Sequence, residues 1–347
     1  MSKKIDISFI LPIRNEELFI KKTIESIIRQ NTNVEFEIII ADGRSTDYTK
    51  EIIEKLIFKN DNIILIDNPK KIVSTGFNLG LNRSKGDVII RLDGHSKIAS
   101  DFLSNIVRLF DEIDAECIGG PTKHISSGIT GISISIAQTQ KFGVGNALFR
   151  QEIKKGEYVD TLAFGAYKRK VFKDIGGYDE ELVRNQDDEF NLRLQQNGGK
   201  IWLDPKIKSY YYPRVSLLKL FKQYFQYGFF KIRVFQKRRE LASIRQIIPF
   251  LFVVYLILTT LIWIINNKFL FLISSSLIIY FSTGLLFALN SFSKRRRDFL
   301  SILILPMTFF ILHFSYGLGF LMGLVYFVNK WSDVQIKDYH FKKSKFV

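Results

Sequence analysis

The sequence predicts an α/β domain, a mostly parallel sheet with helices on both faces, followed by C-terminal transmembrane helices. Three observations predict it. Through the first half, short β-branched apolar runs alternate with amphipathic stretches of helical period, the pattern of a parallel sheet. Three of those runs end in acidic or Arg-Asn-Glu clusters, where an open α/β sheet meets its ligand. The last third holds long stretches without a charged residue, each of the roughly 20 residues a helix needs to cross a bilayer.

The elements follow in order. Residues 7–13 form an apolar run stopped by Pro12, the mark of a buried strand. Asn15-Glu16-Glu17 then opens a helix with Ile20, Ile24, Ile27 and Ile28 on one face. A second strand, 36–41, ends in Asp42-Gly43-Arg44-Ser45-Thr46-Asp47, where Thr46 or Asp47 can cap a helix carrying Ile52, Ile53, Leu56 and Ile57. Residues 63–67 are a third strand, 74–82 a short glycine-interrupted helix, and 88–92 a fourth strand. Residues 101–111 read as another helix, 117–121 as a strand and turn, and the Gly-, Ser- and Gln-rich 126–149 as a mobile loop near the substrate. Order returns at 158–167 and 170–175, before a turn at Gly176-Gly177-Tyr178-Asp179-Glu180.

The fourth strand leads into Arg91-Leu92-Asp93-Gly94-His95. On an extended chain Asp93 and His95 point the same way, and a carboxylate oxygen with an imidazole nitrogen suits Mn or a similar cation. Read alone, the same residues are an Asp-Gly turn. Further on, Asp187, Asp188 and Glu189 repel one another, so at least one requires a cationic partner or a raised pKa. They are either solvated acids complementing a helix dipole or a carboxylate base aimed into a cleft. No glycine-rich dinucleotide or P-loop motif occurs, which argues against a dehydrogenase or a P-loop kinase.

The chain has 347 residues, a formal charge of +16 and one cysteine, Cys117, so it forms no internal disulfide. Its basic clusters, Lys237-Arg238-Arg239, Lys294-Arg295-Arg296-Arg297 and Lys342-Lys343, flank the uncharged runs and favour a membrane surface over nucleic acid. The runs lie at 247–265, 269–290 and 300–328. Positive-inside counting makes the first two an out-and-back hairpin turning at Asn266-Asn267-Lys268. The third, broken by Pro306, Gly317, Gly319 and Gly323, is compatible with a re-entrant or double-back path. Its His313 is either tied to a neighbouring helix or part of a lipid path. The amino-terminal stretch does not read as a signal peptide. Residues 215–239, aromatic and basic, can lie in the headgroup plane. The expected division is a cytoplasmic domain at 1–235, a basic juxtamembrane segment at 236–246, a membrane region at 247–329 and a basic tail at 330–347.

With these motifs in order, residues 5–235 resemble glycosyltransferase family 2, inverting enzymes of the Rossmann-like GT-A fold. Ile10 through Glu17 is similar to the family's opening Pro-x-Tyr-Asn-Glu segment, with Arg14 in place of tyrosine. Asp42 through Thr49 matches its Asp-Gly-Ser-x-Asp-x-Thr stretch, and Ser74 through Gly80, with Asn78, the segment before the metal strand. Asp93-Gly94-His95 stands where the family has Asp-x-Asp, and Asn185-Gln186-Asp187 where it has Asn-Glu-Asp. The closest likeness is to membrane-attached bacterial exopolysaccharide enzymes of the succinoglycan type.

The resemblance implies a nucleotide-sugar site at Pro12, Arg14, Glu16, Asp42, Asn78 and Asp93, a Mn or Mg ion at Asp93 and His95, and Asp187 as catalytic base. It implies a UDP- or GDP-linked donor, a polyprenyl-linked saccharide acceptor, and a multi-pass protein of the cell membrane with its catalytic domain in the cytoplasm. Gln223-x-x-Gln226-Tyr227 lacks the arginine and tryptophan that hold the polymer in processive synthases. Two other readings stay open: a processive polysaccharide synthase, and a catalytically silent membrane scaffold, motivated by His95 and Gln186.

Overall fold

The computed structural model describes residues 5–213, 215–240, 243–294 and 299–331. The chain divides into two compact units, one of Met1–Lys123 with Gln151–Tyr211, the other of His124–Arg150 with Tyr212–Val334.

The first unit begins β1 (Ile7–Ile13), α1 (Ile20–Ile28), β2 (Phe36–Asp42), α2 (Thr49–Ile57), β3 (Ile63–Asp67), α3 (Val73–Arg83) and β4 (Val88–Arg91). It continues β5 (Ser96–Ile98), α4 (Phe102–Glu112), β6 (Cys117–Gly119) and β7 (Thr122–His124); α5 (Ile129–Ala137) and α6 (Lys141–Val144) belong to the second unit. The chain then adds β8 (Glu157–Tyr158), β9 (Ala166–Lys168), α7 (Arg169–Ile175), α8 (Gln186–Gln196), β10 (Ile201–Leu203) and β11 (Ser209–Tyr211). Eight strands form one sheet in the order β3-β2-β1-β4-β9-β6-β10-β8, and β5-β11-β7 form a second. The β3-β2-β1-β4 half is parallel throughout. β9 enters antiparallel between β4 and β6, and β8 pairs antiparallel with β10.

Alternation along β1 sorts the two faces. Ile7, Phe9, Leu11 and Ile13 pack with Ile20, Ile24 and Ile27 of α1, Ile53 of α2 and Phe102, Leu103 and Ile106 of α4. Ile10 faces the other way, where a Cβ on Gly80 of α3 would lie 2.5 Å from its Cγ2. Beyond it an aromatic layer covers this face, with Tyr178 stacked on Phe77 at 4.1 Å and Phe172 on Phe190 at 5.0 Å. Helices on both faces therefore have separate cores.

In the second unit, residues 128–137, expected as part of a mobile loop, form a packed helix. Ile134, Ile136 and Ala137 of α5 are buried among Leu220, Tyr224, Leu305, Phe309 and Leu312, and the Ser133 hydroxyl bonds that of Thr308 at 2.8 Å. The Gly and Ser content that suggested a loop lets this helix pack closely instead. The unit continues with α9 (Leu217–Arg238), α10 (Ile248–Ile265), α11 (Leu270–Lys294), α12 (Phe299–Leu303) and α13 (Leu305–Tyr326). Three of its helical segments, Ile244–Ile265, Asn267–Ser291 and Leu305–Tyr326, are long and apolar enough to cross a membrane.

The third run is split at Ile304 into α12 and α13; from Leu305 to Tyr326 the helix is unbroken, and Pro306 sits in its first turn, where no backbone N–H is lost. Its glycines serve close approach. A Cβ on Gly319 would lie 2.0 Å from Phe225 O, on Gly323 2.5 Å from Phe229 O, and on Gly317 2.1 Å from Pro249 O. Contacts from Leu220 to Gln236 follow α13 and its end from Phe309 to Phe327, so α9 is buried lengthwise against α13 rather than presented as a separate surface helix. His313 is tied to its neighbours: Tyr280 OH lies 2.7 Å from Nδ1 and Gly143 O 3.1 Å from Nε2. The carbonyl only accepts, so Nε2 carries the proton and Tyr280 donates to Nδ1. The tail from residue 332 and Arg295-Arg296-Arg297 lie outside the described residues.

Candidate active site

Parallel register brings the strand ends into a row. Ile13 pairs with Asp42 and Asp42 with Asp67, while Arg91 pairs with Ile10 and hands the chain to Asp93 just beyond. Four residues with left-handed backbone, Asn15, Arg44, Lys71 and Asn185, stand in the loops at this edge. Left-handed non-glycine residues persist only where surrounding bonds fix them, and they gather at functional sites.

The loops after β1 and β2 are stitched together. Asn15 N donates to Ser45 Oγ, Thr46 N to Asn15 Oδ1, Glu16 N to Thr49 Oγ1 and Tyr48 N to Glu17 Oε2, at 2.7–3.1 Å. Asp47 accepts from Thr49 N and Glu17 N and so ties the two loops together, while the N-cap of α2 is Tyr48 rather than the Thr46 or Asp47 the sequence suggested. Burial opposes its ionisation, but these bonds prevail and hold the carboxyl below its ordinary value. Gly43 lies where three loops meet: a Cβ there would sit 3.2–3.3 Å from Ile13 O, Arg14 Cβ and Lys71 Cα. Arg14 and Lys71 thus flank Gly43, and both are exposed. Asp42 is buried and accepts from the Ser45 hydroxyl at 2.5 Å and from Ser45 N at 3.1 Å. Next to it Arg44 grips Asp67 through both carboxylate oxygens, at 3.1 and 3.0 Å.

Two other expected nucleotide-site residues are spent inside the fold. Pro12 is buried under the first turn of α3, where a Cβ on Gly76 would lie 3.0 Å from its own Cβ. Asn78 clamps the turn before α8 by donating to Tyr178 O and accepting from Tyr178 N, both at 2.8 Å. Their observed contacts are with the scaffold that carries the site.

β4 ends at Arg91, so Asp93 and His95 do not lie along one extended strand as the spacing suggested. They occupy a turn, each with its own partner. Asp93 Oδ1 meets Arg91 Nη2 at 2.5 Å. His95 Nδ1 lies 2.8 Å from Glu16 Oε1, and its ring packs on Tyr211 with centroids 5.0 Å apart. A carboxylate beside one ring nitrogen is how a histidine ligand is commonly oriented.

Among the described residues no three His, Cys, Asp or Glu side chains converge on one point. Asp93 and His95 are one oxygen and one nitrogen donor on the same turn, so a cation held by them would need its other ligands from substrate phosphates and water.

Asp187 comes from the opposite side of the sheet edge. It opens α8, which is fixed by buried Phe190 and by Asn191, whose side chain bonds Tyr167 OH at 2.7 Å and Thr161 Oγ1 at 2.8 Å. Fully buried Glu189 pairs with Arg193 at 3.0 Å, and Arg193 in turn holds Ile175 O and Gly177 O. Asp187 Oδ2 lies 3.1 Å from Arg91 Nη1. Asp187 and Glu189 have thus acquired cationic partners. Burial alone would lower the Arg91 pKa, but Asp93 and Asp187 outweigh it and hold the guanidinium above its ordinary value. The bridging role of Arg91 was missed from the sequence, although the residue stood inside the central motif. Glu16 was expected at the site, but its pairing with His95 was not.

A parallel sheet presenting acids at its carboxyl edge, with a carboxylate-backed histidine beside them, is the frame of a nucleotide-sugar transferase. The chain belongs to glycosyltransferase family 2, and residues 8–176 match the family description "Glycosyl transferase family 2". It is similar to the succinoglycan biosynthesis protein ExoA of Rhizobium meliloti, at 32% identity over 69% of this chain and 73% of the relative. It is also similar to a dolichyl N-acetyl-alpha-D-glucosaminyl phosphate 3-beta-D-2,3-diacetamido-2,3-dideoxy-beta-D-glucuronosyltransferase of Methanococcus voltae, at 30% identity over 92% and 97% of the two chains. Among solved structures, a mannosyltransferase of Pyrobaculum calidifontis in complex with GDP-Man and Mn2+ shares the GT-A fold, with TM-score 0.55 and 14% identity over 91% of this chain and 88% of that one.

Proposed function

We propose that this glycosyltransferase moves one sugar from a UDP- or GDP-linked donor to a polyprenyl-linked saccharide, inverting the anomeric centre. The observation that carries the reading is the convergence of Asp93 and Asp187 on one buried arginine, which joins a donor-side and an acceptor-side carboxylate in one site. Asp42, with its oxygens fixed by Ser45, is suited to accept the imide hydrogen of a uracil or guanine. Arg14 and Lys71, exposed beside Gly43, supply positive charge for the diphosphate.

Asp93 and His95 would hold a Mn-like cation, which offsets the charge on the departing diphosphate when bound. Asp187 takes the proton of the attacking acceptor hydroxyl. Attack from the face opposite the leaving group makes the transfer a single displacement with inversion. Pro12, Glu16 and Asn78 support the site from behind: Pro12 under α3, Glu16 on His95 and Asn78 on the turn before α8.

A lipid-linked acceptor is supported by the Methanococcus voltae relative, named for a dolichyl-phosphate-linked sugar, and by the three apolar helices. In this reading residues 1–235 carry catalysis on the cytoplasmic face of the cell membrane. The basic segment 236–246 leads into a multi-pass membrane region at 247–329, with a basic tail after it. No nucleic acid takes part.

Asp187→Asn keeps the shape of the side chain and removes the base. In purified protein that retains its melting temperature, sugar transfer should fall by about 10²–10⁴-fold. Full activity in this variant would remove Asp187 from the mechanism.

A further inference from the structure

We propose that Arg91 is a positioning residue, one buried guanidinium shared by Asp93 and Asp187 that couples cation occupancy at the first carboxylate to the setting of the second. The inference rests on the roles given above to those two carboxylates and adds the residue that links them.

Three observations carry it. The guanidinium divides its edges: Nη2 donates to Asp93 Oδ1 at 2.5 Å and Nη1 to Asp187 Oδ2 at 3.1 Å. Its side chain is 7% exposed, and Nε finds no acceptor among the described residues, so the two carboxylates are what compensate a desolvated charge. Finally, Arg91 is the last residue of β4, and its backbone is paired with Ile10 in the parallel ladder. The root of the side chain is therefore fixed while its head spans two acids that lie 96 residues and 2 residues away in sequence.

A divalent cation at Asp93 must share or displace the guanidinium, because two cations on one carboxylate oppose each other. Once the cation holds Asp93, Asp187 becomes the sole anion on the fork. The converse follows from linkage: weakening the Asp187 contact commits Arg91 to Asp93 and opposes the cation. Lysine is a poor replacement, since its single nitrogen would have to meet both carboxylates at one point instead of from the two ends of a planar fork.

The test uses the full purified chain with Mn2+ and saturating UDP or, separately, GDP, with Mn2+ binding read by electron paramagnetic resonance and folding by melting temperature. Arg91→Met should bind Mn2+ at least about fivefold more tightly than the parent. Asp187→Asn should bind it several-fold more weakly in the parent, and change affinity by less than about twofold in the Arg91→Met background, where the shared group is gone. Equal Mn2+ affinity of parent and Arg91→Met overturns the coupling, as does an Asp187→Asn effect of the same size in both backgrounds. Should Arg91→Met alone fail to fold, the double variant, which carries one unpaired charge fewer, is compared with Asp187→Asn. Equal affinities there overturn the coupling too. Absence of Mn2+ binding to every protein removes the cation site itself, a failure of the preceding reading and distinguishable from equal binding.

Discussion

Asp93 and Asp187 depend on each other through Arg91, and His95 depends on Glu16, so the site is a set of pairs. Similar dependence sets a pH response elsewhere in the chain. Burial, reinforced by the Arg150 guanidinium, pushes the His124 pKa down to about 3. The unfolded chain takes up that proton below about 6.5, while the folded chain does not. The stabilising contribution of neutral His124 is therefore complete above about pH 6.5 and declines as the pH falls toward its folded value. Thermal unfolding in detergent should show a lower melting temperature at pH 5 than at pH 7.5, and His124→Gln should reduce that difference. An unchanged difference in the variant would assign the effect to other groups. In the sequence, Asp42, Asp93 and Asp187 stood out because acids lie at strand ends or a helix start, and the structure places Asp93 and Asp187 on one guanidinium. Arg91 was not, because its partner Asp187 lies 96 residues away and only the folded sheet brings the two together.

At the scale of elements, β1 to β4 and α1 to α3 were legible because apolar period and turn residues agree there. Residues 126–149 were not. Isoleucines at 129, 132, 134 and 136 mix two periods among Gly, Ser and Thr, and what makes a helix of them is burial against α9 and α13. The glycines of α13 misled in the same way, reading as breaks while serving as contacts. Gly319→Leu should therefore cost about 1–3 kcal/mol by forcing α9 away, since a Cβ there would lie 2.0 Å from Phe225 O. Denaturation in detergent measures this. Stability equal to the parent would show that the helices separate without penalty.

For the molecule as a whole, the alternation of strands and helices and the three uncharged runs sufficed for the fold class and the membrane helices. The antiparallel insertion of β9 was out of reach, because a three-residue strand carries no period of its own. That strand matters to the proposed mechanism, since Tyr167 on it holds Asn191 and with it the helix that carries Asp187. The measurement that bears most directly on the account is the stereochemistry of the product. Purified full-length protein would be given Mn2+, a panel of UDP- and GDP-sugars and a polyprenyl-phosphate-linked saccharide, and the product read by NMR. One sugar should be added, with the anomeric configuration opposite to that of the donor. Retention of the donor's configuration, or a long polymer made without a lipid-linked intermediate, would contradict it.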